Sequence, residues 1–155
     1  TRADLEAAPR SLTGAALRSA GYTGRLEGID LSDESLAVAA ARAVYDDLTV
    51  GDLQQPLTAP DDHYDAALCI GVLTYVPGTE AIWRELSRVT RPGGVVVCTQ
   101  RQDVWNERRC ADVLGLLERD GTWAALHLSP ELAYMPGNPA FGHEIGVRYL
   151  VARVR

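Results

Sequence analysis

Three short segments of this 155-residue sequence carry residue types that suit binding of a nucleoside. Asp30 follows a short apolar run, and a carboxylate at such a place can accept hydrogen bonds from both hydroxyls of a ribose. In the segment VGDL, Asp52 can accept a hydrogen bond from an adenine amino group while Leu53 packs on the base. Gly71, within the apolar segment CIGVL, would let the backbone approach a ligand closely.

Each of these segments also has a simpler explanation. Asp30 could cap the helix that follows it, although Ser32 is already placed for that role. Asp52 could simply be a turn residue, because Gly-Asp is common in turns. Gly71 could be present merely to relieve steric crowding at the end of a strand. The argument for a site is their common location, because ligands of open parallel α/β sheets bind outside the carboxyl ends of the strands.

Helices and strands alternate along the sequence, which predicts a parallel α/β sheet with right-handed crossovers. The last two strands have no helix between them, so we expect them to form an antiparallel hairpin. The predicted helices cover residues 12–20, 33–44, 79–90 and 104–118, and the predicted strands cover residues 26–31, 48–53, 64–73, 95–100, 123–128 and 144–154.

Local signals support several of these boundaries. Gly21 is placed to end the first helix, and Ser32 is a natural N-cap for the second, whose first turn begins with Asp33. The sequence RPGG is expected to stop the third helix before the run VVVCTQ. The run YDAALCIGVL is apolar almost without alternation, which predicts a strand covered on both faces.

Composition excludes several kinds of chemistry. All 15 basic residues are arginine, and 21 acidic residues bring the formal net charge to −6. Without lysine there is no Schiff base on a protein amine, no pyridoxal phosphate attachment and no phosphate-binding P-loop. The acidic balance and the scattered arginines also argue against a nucleic-acid partner. The sequence shows neither a run of about 18 apolar residues nor a signal-peptide pattern, so we expect no membrane partner and a cytoplasmic location.

The three cysteines and three histidines match no metal-ligand or disulfide pattern. Cys69 and Cys98 lie in apolar runs and are expected to be small core residues. We therefore expect neither a structural metal nor a disulfide framework.

Four stretches of the sequence together resemble a known family. They read LTGAALRSAGYTGRLEGIDLS, VGDL, YDAALCIGVLTYVP and AIWRELSRVTRPGGVVVCTQ. This combination resembles the class I, Rossmann-like methyltransferases that depend on S-adenosylmethionine, and it is most similar to the methyltransferase-like 27 group. The resemblance runs from about residue 12 to the C-terminus, and the run RELSRVTRPGG before a strand is its most specific part.

The resemblance implies a three-layer, doubly wound, mostly parallel sheet of seven strands that ends in an antiparallel pair. It also implies that Asp30 binds the ribose of the cofactor, that Asp52 and Leu53 contact the adenine, and that the backbone of residues 69–71 lies beside the methionine part. The residues that the resemblance assigns to the cofactor site are Asp30, Leu31, Gly51, Asp52, Leu53, Cys69, Ile70 and Gly71.

The acceptor site is implied by the same resemblance, because the segments after the fourth and fifth family strands and between the last two border it. This position selects Tyr75, Trp105, Tyr134 and His143. Trp105 could equally be a core anchor, and His143 could simply lie in a surface loop. No catalytic residue is identified, and His143 and Tyr75 are the candidates for a general base.

One family feature is missing from this sequence. Family members begin with an apolar strand and a glycine-rich turn of the type D-x-G-x-G-x-G, about 20 residues before the ribose-binding acid. The corresponding stretch here, TRADLEAAPRSLTG, has neither, and Gly14 stands alone inside the expected helix. Either the chain lacks these residues, or Arg10 and Ser11 are not neighbours in the complete polypeptide. Loss of the strand, normally the middle of the sheet, would leave two half-sheets with unpaired edges.

Three classes of function follow from these observations. The first is a single domain over residues 1–155 that transfers a methyl group from S-adenosylmethionine to a small-molecule acceptor. The second is a catalytically silent binding or partner subunit, which the missing glycine turn would favour. The third is a nicotinamide-dependent oxidoreductase, which the absence of lysine makes less suitable. The oligomeric state is left open.

Overall fold

A computed structural model of the chain describes residues 13–134 and 145–155. Contacts between residues divide the chain into two compact units, Thr1–Gln55 and Pro56–Arg155. The start of the first predicted helix, the junction of Arg10 and Ser11, and residues 135–144 lie outside the described residues. The single domain over residues 1–155 therefore stays a prediction.

The first unit alternates helix and strand, as predicted. Strands β1 and β2 pair in parallel, with Glu27 opposite Asp47 and Asp30 opposite Val50. Both strands therefore end at the same edge of a two-stranded sheet. The elements in chain order are α1 (Thr13–Ser19), β1 (Glu27–Asp30), α2 (Asp33–Ala41) and β2 (Asp47–Val50).

The ends of the helices in this unit follow the local signals. The side chain of Ser32 accepts a hydrogen bond from the Ser35 amide and caps α2, which confirms the predicted N-cap. Gly21 adopts a φ of +89° just after α1, a conformation that favours glycine. Gly14 has a packing role, because a Cβ there would lie 2.5 Å from Cζ of Tyr45. The Gly14 amide also donates to the Tyr45 hydroxyl at 3.0 Å.

The second unit contains a five-stranded sheet. Its strand order is β3-β4-β7-β5, with β6 also paired to β7. Strands β3 and β4 are parallel, whereas β7 is antiparallel to β4, β5 and β6. The elements are β3 (Tyr64–Cys69), α3 (Thr79–Val89), β4 (Thr90–Arg101), α4 (Gln102–Glu107), α5 (Cys110–Arg119), β5 (Trp123–Leu128), β6 (Leu132–Ala133) and β7 (Gly146–Val154). The antiparallel pairing of β5 and β7 confirms the predicted hairpin, and β6 is an additional short strand.

The core of the second unit is built around three tryptophans. The ring of Trp83 lies 5.1 Å from that of Trp123 and 6.2 Å from that of Trp105, measured between centroids. The Ser87 hydroxyl links this cluster, because it accepts a hydrogen bond from Trp123 Nε1 at 2.6 Å and donates to the Trp83 carbonyl at 2.7 Å. The cluster therefore combines apolar contacts with a hydrogen-bonded indole at Trp123, whereas the buried Nε1 of Trp83 has no hydrogen-bond partner among the described residues.

Two predictions about this unit were wrong. The predicted helix over residues 104–118 is two helices, because the chain breaks at Arg109, whose φ is +50°. The strand that begins at Tyr64 is not covered on both faces, since Leu68 is 41% exposed. Its neighbour Cys69 is buried against the same sheet face as Cys98, but Leu68 pairs with Val97 on the opposite, less covered face.

The predicted turn at RPGG lies inside β4 as an irregularity. Tyr64 pairs with Thr90 and Ala66 pairs with Val95, so four residues of β4 project out of the regular pairing. Gly93 has a φ of +82° at this point. The turn residues therefore bend the chain, and the strand begins before them.

The role of Ser87 can be tested by Ser87→Ala. The variant leaves the buried Trp123 Nε1 without its partner, so we expect a loss of about 1–3 kcal/mol in the free energy of unfolding. Urea unfolding followed by tryptophan fluorescence measures this change. Ser19→Ala at an exposed position of α1 is the control and should change the free energy by less than about 0.5 kcal/mol. Equal stability of the two variants would contradict this role.

Candidate cofactor and acceptor site

Asp30 is the last residue of β1, and its side chain is exposed. Its Oδ1 accepts a hydrogen bond from the Ser32 amide at 2.9 Å, and its backbone carbonyl accepts one from the Gly51 amide at 3.0 Å. These two contacts fix the backbone and the side chain of the residue. Within residues 13–134 and 145–155, the capping contact of Asp30 uses Oδ1 and leaves Oδ2 without a hydrogen bond.

Gly51, Asp52 and Leu53 follow directly after β2 and are half-buried. The Asp52 carboxylate accepts a hydrogen bond from the Gln54 amide at 2.8 Å through Oδ1, which makes a local turn. Gly51 is required by close packing, because a Cβ there would lie 2.6 Å from Cγ2 of Ile29. The structure therefore brings Asp30 and the Gly51–Asp52 turn to the ends of adjacent parallel strands.

A small cavity lies between α2 and the two strands of the first unit. Among the described residues, Asp30 is the one strand-end residue in its wall, and the Gly51–Leu53 turn does not line it. The other lining residues are Gly28, Ile29, Ser35, Leu36, Ala39, Tyr45 and Leu48. Leu31, the neighbour of Asp30, is 67% exposed. An apolar side chain on this surface offers contact area to a ligand held by Asp30.

The segment of residues 69–71 lies at the carboxyl end of β3 in the second unit. Cys69 is buried, and Ile70 is 38% exposed. Gly71 has a φ of +74°, and a Cβ there would meet nothing within 4 Å. Relief of steric crowding is therefore the wrong explanation for Gly71. The positive φ favours glycine at this position, and the space beside its Cα is open.

The loop that follows is held by residues that sequence reasoning missed. The Gly71 amide donates to Thr99 Oγ1 at 2.8 Å, and the Thr74 hydroxyl donates to Gln100 Oε1 at 2.8 Å. The Arg108 guanidinium donates to backbone carbonyls of the same loop. Only the position of Thr99 and Gln100 at the end of a predicted strand could have indicated them, and nothing in the sequence singled out Arg108.

Two of the predicted acceptor residues lie near one cation. Tyr75 is 72% exposed, and Tyr134 is half-buried with its amide donating to the Ile145 carbonyl. The hydrogen-bonded Asp103 carboxylate raises the pKa of Arg101, and the Tyr75 and Tyr134 phenols add smaller electrostatic contributions. The structure thus places Tyr75, Tyr134 and Arg101 in one neighbourhood of the second unit.

The other two predicted acceptor residues are Trp105 and His143. Trp105 is 6% exposed and packs near Trp83. Its side chain lies on the buried side of α4, together with Val104, which favours the core-anchor alternative. The assignment of Trp105 to the acceptor pocket stays a prediction. His143 lies outside the described residues, and its assignment stays a prediction.

Thiol chemistry is suppressed by burial. Burial raises the pKa of the Cys69 thiol to about 12, and it raises the pKa of Cys98 and of Cys110 as well. All three thiols are free and buried. In residues 13–134 and 145–155 no group of three or more His, Cys, Asp or Glu side chains is arranged to hold a metal ion. The same residues contain no helix long and apolar enough to span a membrane.

Comparison with known proteins identifies the family. The profile described as a methyltransferase domain matches residues 11–98. The chain belongs to this methyltransferase domain family. Methyltransferase-like protein 27 from human is 37% identical over 121 residues, which are 74% of this chain and 48% of the human protein. The chain therefore spans about half the length of this curated methyltransferase relative.

Solved structures show the class I methyltransferase fold. An S-adenosylmethionine-dependent methyltransferase from Mesorhizobium loti is 20% identical, with a TM-score of 0.67 over 90% of this chain and 84% of that one. The [4+2]-cyclase SpnF is 20% identical, with a TM-score of 0.68 over 92% of this chain and 72% of that one. The predicted Rossmann-like α/β fold is confirmed.

The raised thiol pKa values predict slow alkylation of this methyltransferase domain. At about pH 8 an unperturbed thiol is partly ionised, whereas the buried thiols stay protonated. We expect iodoacetamide to modify the native protein at least roughly a hundredfold more slowly than the urea-unfolded protein, because the thiolate is the reactive form. Mass spectrometry counts the labelled cysteines, and a rapid native phase that labels one cysteine would refute the prediction.

Proposed function

We propose that this chain is the cofactor-binding core of an S-adenosylmethionine-dependent methyltransferase that acts on a small-molecule acceptor. The observation that carries the proposal is the hydrogen bond from the Gly51 amide to the Asp30 carbonyl. It sets Asp30 and Asp52 at adjacent strand ends in a chain that belongs to the methyltransferase domain family. An acceptor of low molecular weight fits the net charge of −6, which opposes binding to nucleic acid. A cytoplasmic location stays a prediction.

The residues present fit the chemical groups of the cofactor. Asp30 has one carboxylate oxygen free of local hydrogen bonds, and ribose hydroxyls are donors for such an oxygen. The second oxygen of Asp52 would accept the adenine amino group while the turn is maintained through Oδ1. Leu53 and Leu31 would contact the base and sugar. The family resemblance assigns the backbone of Cys69, Ile70 and Gly71 to the methionine part. Within the second unit, a Cβ at Gly71 would meet nothing within 4 Å, so the space beside this backbone is open.

S-adenosylmethionine, when bound, supplies an activated methyl group on a sulfonium that carries its own leaving group. The protein then has to hold the acceptor in line and exclude water, so proximity and desolvation provide most of the rate. The buried, protonated cysteines are consistent with this role, since no covalent nucleophile is needed. Tyr75 and Tyr134 would line the acceptor site. If the acceptor must lose a proton, Tyr75 and His143 are the candidate bases.

A second candidate function is a catalytically silent binding or partner subunit. The observation that favours it is the absence of a D-x-G-x-G-x-G turn from this sequence. A subunit of this kind would keep the fold and the strand-end acids but would not position the methionine part of the cofactor. The nicotinamide-dependent oxidoreductase is less favoured, because the family match is to methyltransferases.

Cofactor binding tests the proposal directly. Isothermal titration calorimetry of the complete polypeptide with S-adenosylhomocysteine should show binding. Asp30→Asn keeps the acceptor for the Ser32 amide but removes the charge, so we expect binding to weaken by about 1.5–3 kcal/mol. Asp47→Asn, at the opposite end of the same sheet, is the matched control and should bind as the wild type does.

The possible outcomes separate the candidates. Binding of S-adenosylhomocysteine that is unchanged in Asp30→Asn would remove Asp30 from the site. Absence of heat with both S-adenosylmethionine and S-adenosylhomocysteine would eliminate the methyltransferase. Binding without methyl transfer to any acceptor in a screen of small alcohols, amines, thiols and phenols would support the silent subunit.

A further inference from the structure

The loop between β3 and α3 carries an exposed aromatic residue and is held by several hydrogen bonds from outside the loop. We define it as the β3–α3 loop, residues 70–78. Glycines with positive φ lie near both of its ends, Gly71 at +74° and Gly78 at +86°. Within it, Leu73 is 1% exposed and anchors the loop in the core, whereas Tyr75 is 72% exposed.

Arg108 holds this loop through its backbone. The guanidinium donates hydrogen bonds to the carbonyls of Leu73 at 2.7 Å, Thr74 at 3.1 Å and Val76 at 2.6 Å. Several carbonyls can be bound at once because a guanidinium presents five donors in a rigid plane. The three acceptors flank Tyr75, so the contact fixes the backbone on both sides of this residue.

The position of Arg108 depends on the break between α4 and α5. Arg108 follows the last residue of α4, and Arg109 adopts a φ of +50° before α5 begins. The two neighbouring arginines then have different surroundings. Arg108 is half-buried against the β3–α3 loop, whereas the Arg109 side chain is 80% exposed and pairs with Asp112. This difference provides a matched pair of residues for experiment.

The other anchors of the loop come from β4. Thr99 accepts from the Gly71 amide, and Gln100 accepts from the Thr74 hydroxyl. Arg108 adds a connection to the helical segment that follows β4. The loop conformation is therefore determined by contacts with residues more than 25 positions away in the sequence.

We propose that Arg108 is a positioning residue that holds the β3–α3 loop ready for the cofactor and the acceptor. The inference rests on the proposed function, because that function assigns the backbone of Cys69–Gly71 and the side chain of Tyr75 to the site. Without Arg108 the three carbonyls would turn toward water and the loop would sample more conformations. Binding would then have to order the loop, and the apparent affinity would fall with the fraction of molecules in the competent conformation.

The test compares Arg108→Ala with Arg109→Ala in the complete polypeptide. We expect Arg108→Ala to raise the Kd for S-adenosylhomocysteine roughly tenfold or more, which is about 1.4 kcal/mol of binding free energy. Amide hydrogen exchange of residues 70–78 should become faster in the same variant. Arg109→Ala should match the wild type in both measurements.

A stability control separates positioning from general destabilisation. Ser87→Ala weakens the tryptophan core without touching the loop, so it should retain the wild-type Kd at temperatures where the protein is folded. If Arg108→Ala does not fold, Arg108→Lys replaces it, because lysine keeps the charge but has no planar fork. We expect this variant to raise the Kd at least about threefold.

The outcomes distinguish this inference from the proposed function. If the wild type does not bind S-adenosylhomocysteine, the proposed function fails and the functional role of Arg108 fails with it. If the wild type binds and Arg108→Ala binds equally well, only the role of Arg108 is overturned. The same conclusion follows if loop exchange is unchanged, or if Ser87→Ala loses as much affinity as Arg108→Ala.

Discussion

The hydrogen bond from the Gly51 amide to the Asp30 carbonyl constrains the first part of the candidate site. It continues the parallel pairing of β1 and β2 beyond the last strand residues, so the chains leave both strands side by side. Each acid then uses one carboxylate oxygen to fix its own turn, Asp30 toward Ser32 and Asp52 toward Gln54. Contacts within the chain therefore hold both acids in place. Binding of a polar nucleoside benefits from such preorganisation, because fewer groups have to be ordered when the ligand binds.

The features that could be predicted from the sequence are those with local causes. The cap at Ser32, the end of the first helix at Gly21 and the helix Thr79–Val89 follow from neighbouring residues alone. The strand-end position of Asp30 follows from the same local pattern together with a general rule for parallel sheets. The helix caps and the strand-end position of Asp30 depend on only a few neighbouring residues, so they could be predicted without knowledge of tertiary contacts.

The features that could not be predicted depend on distant partners. Gly14 is matched to Tyr45, which is 31 residues away, and Arg108 binds carbonyls up to 35 residues away. A helical pattern continues through Arg108 and Arg109, so the break between α4 and α5 becomes understandable only from the loop that Arg108 contacts. Leu68 shows the same limit, because an apolar strand residue indicates preference for burial but not which neighbours cover it.

The character of the site agrees with the demands of methyl transfer. A reaction whose donor carries its own leaving group needs alignment more than it needs an activated nucleophile, so the important contacts should be ones that fix backbone. The described residues show this arrangement. Arg108 binds backbone carbonyls, the hydroxyls of Thr99 and Ser32 accept hydrogen bonds from backbone amides, and burial keeps the thiols protonated. A site designed for covalent catalysis would instead expose a group whose pKa is shifted toward neutrality. Residues such as Arg108, which sequence motifs do not mark, therefore act beside marked residues such as Asp30, and their effect is exerted through the main chain.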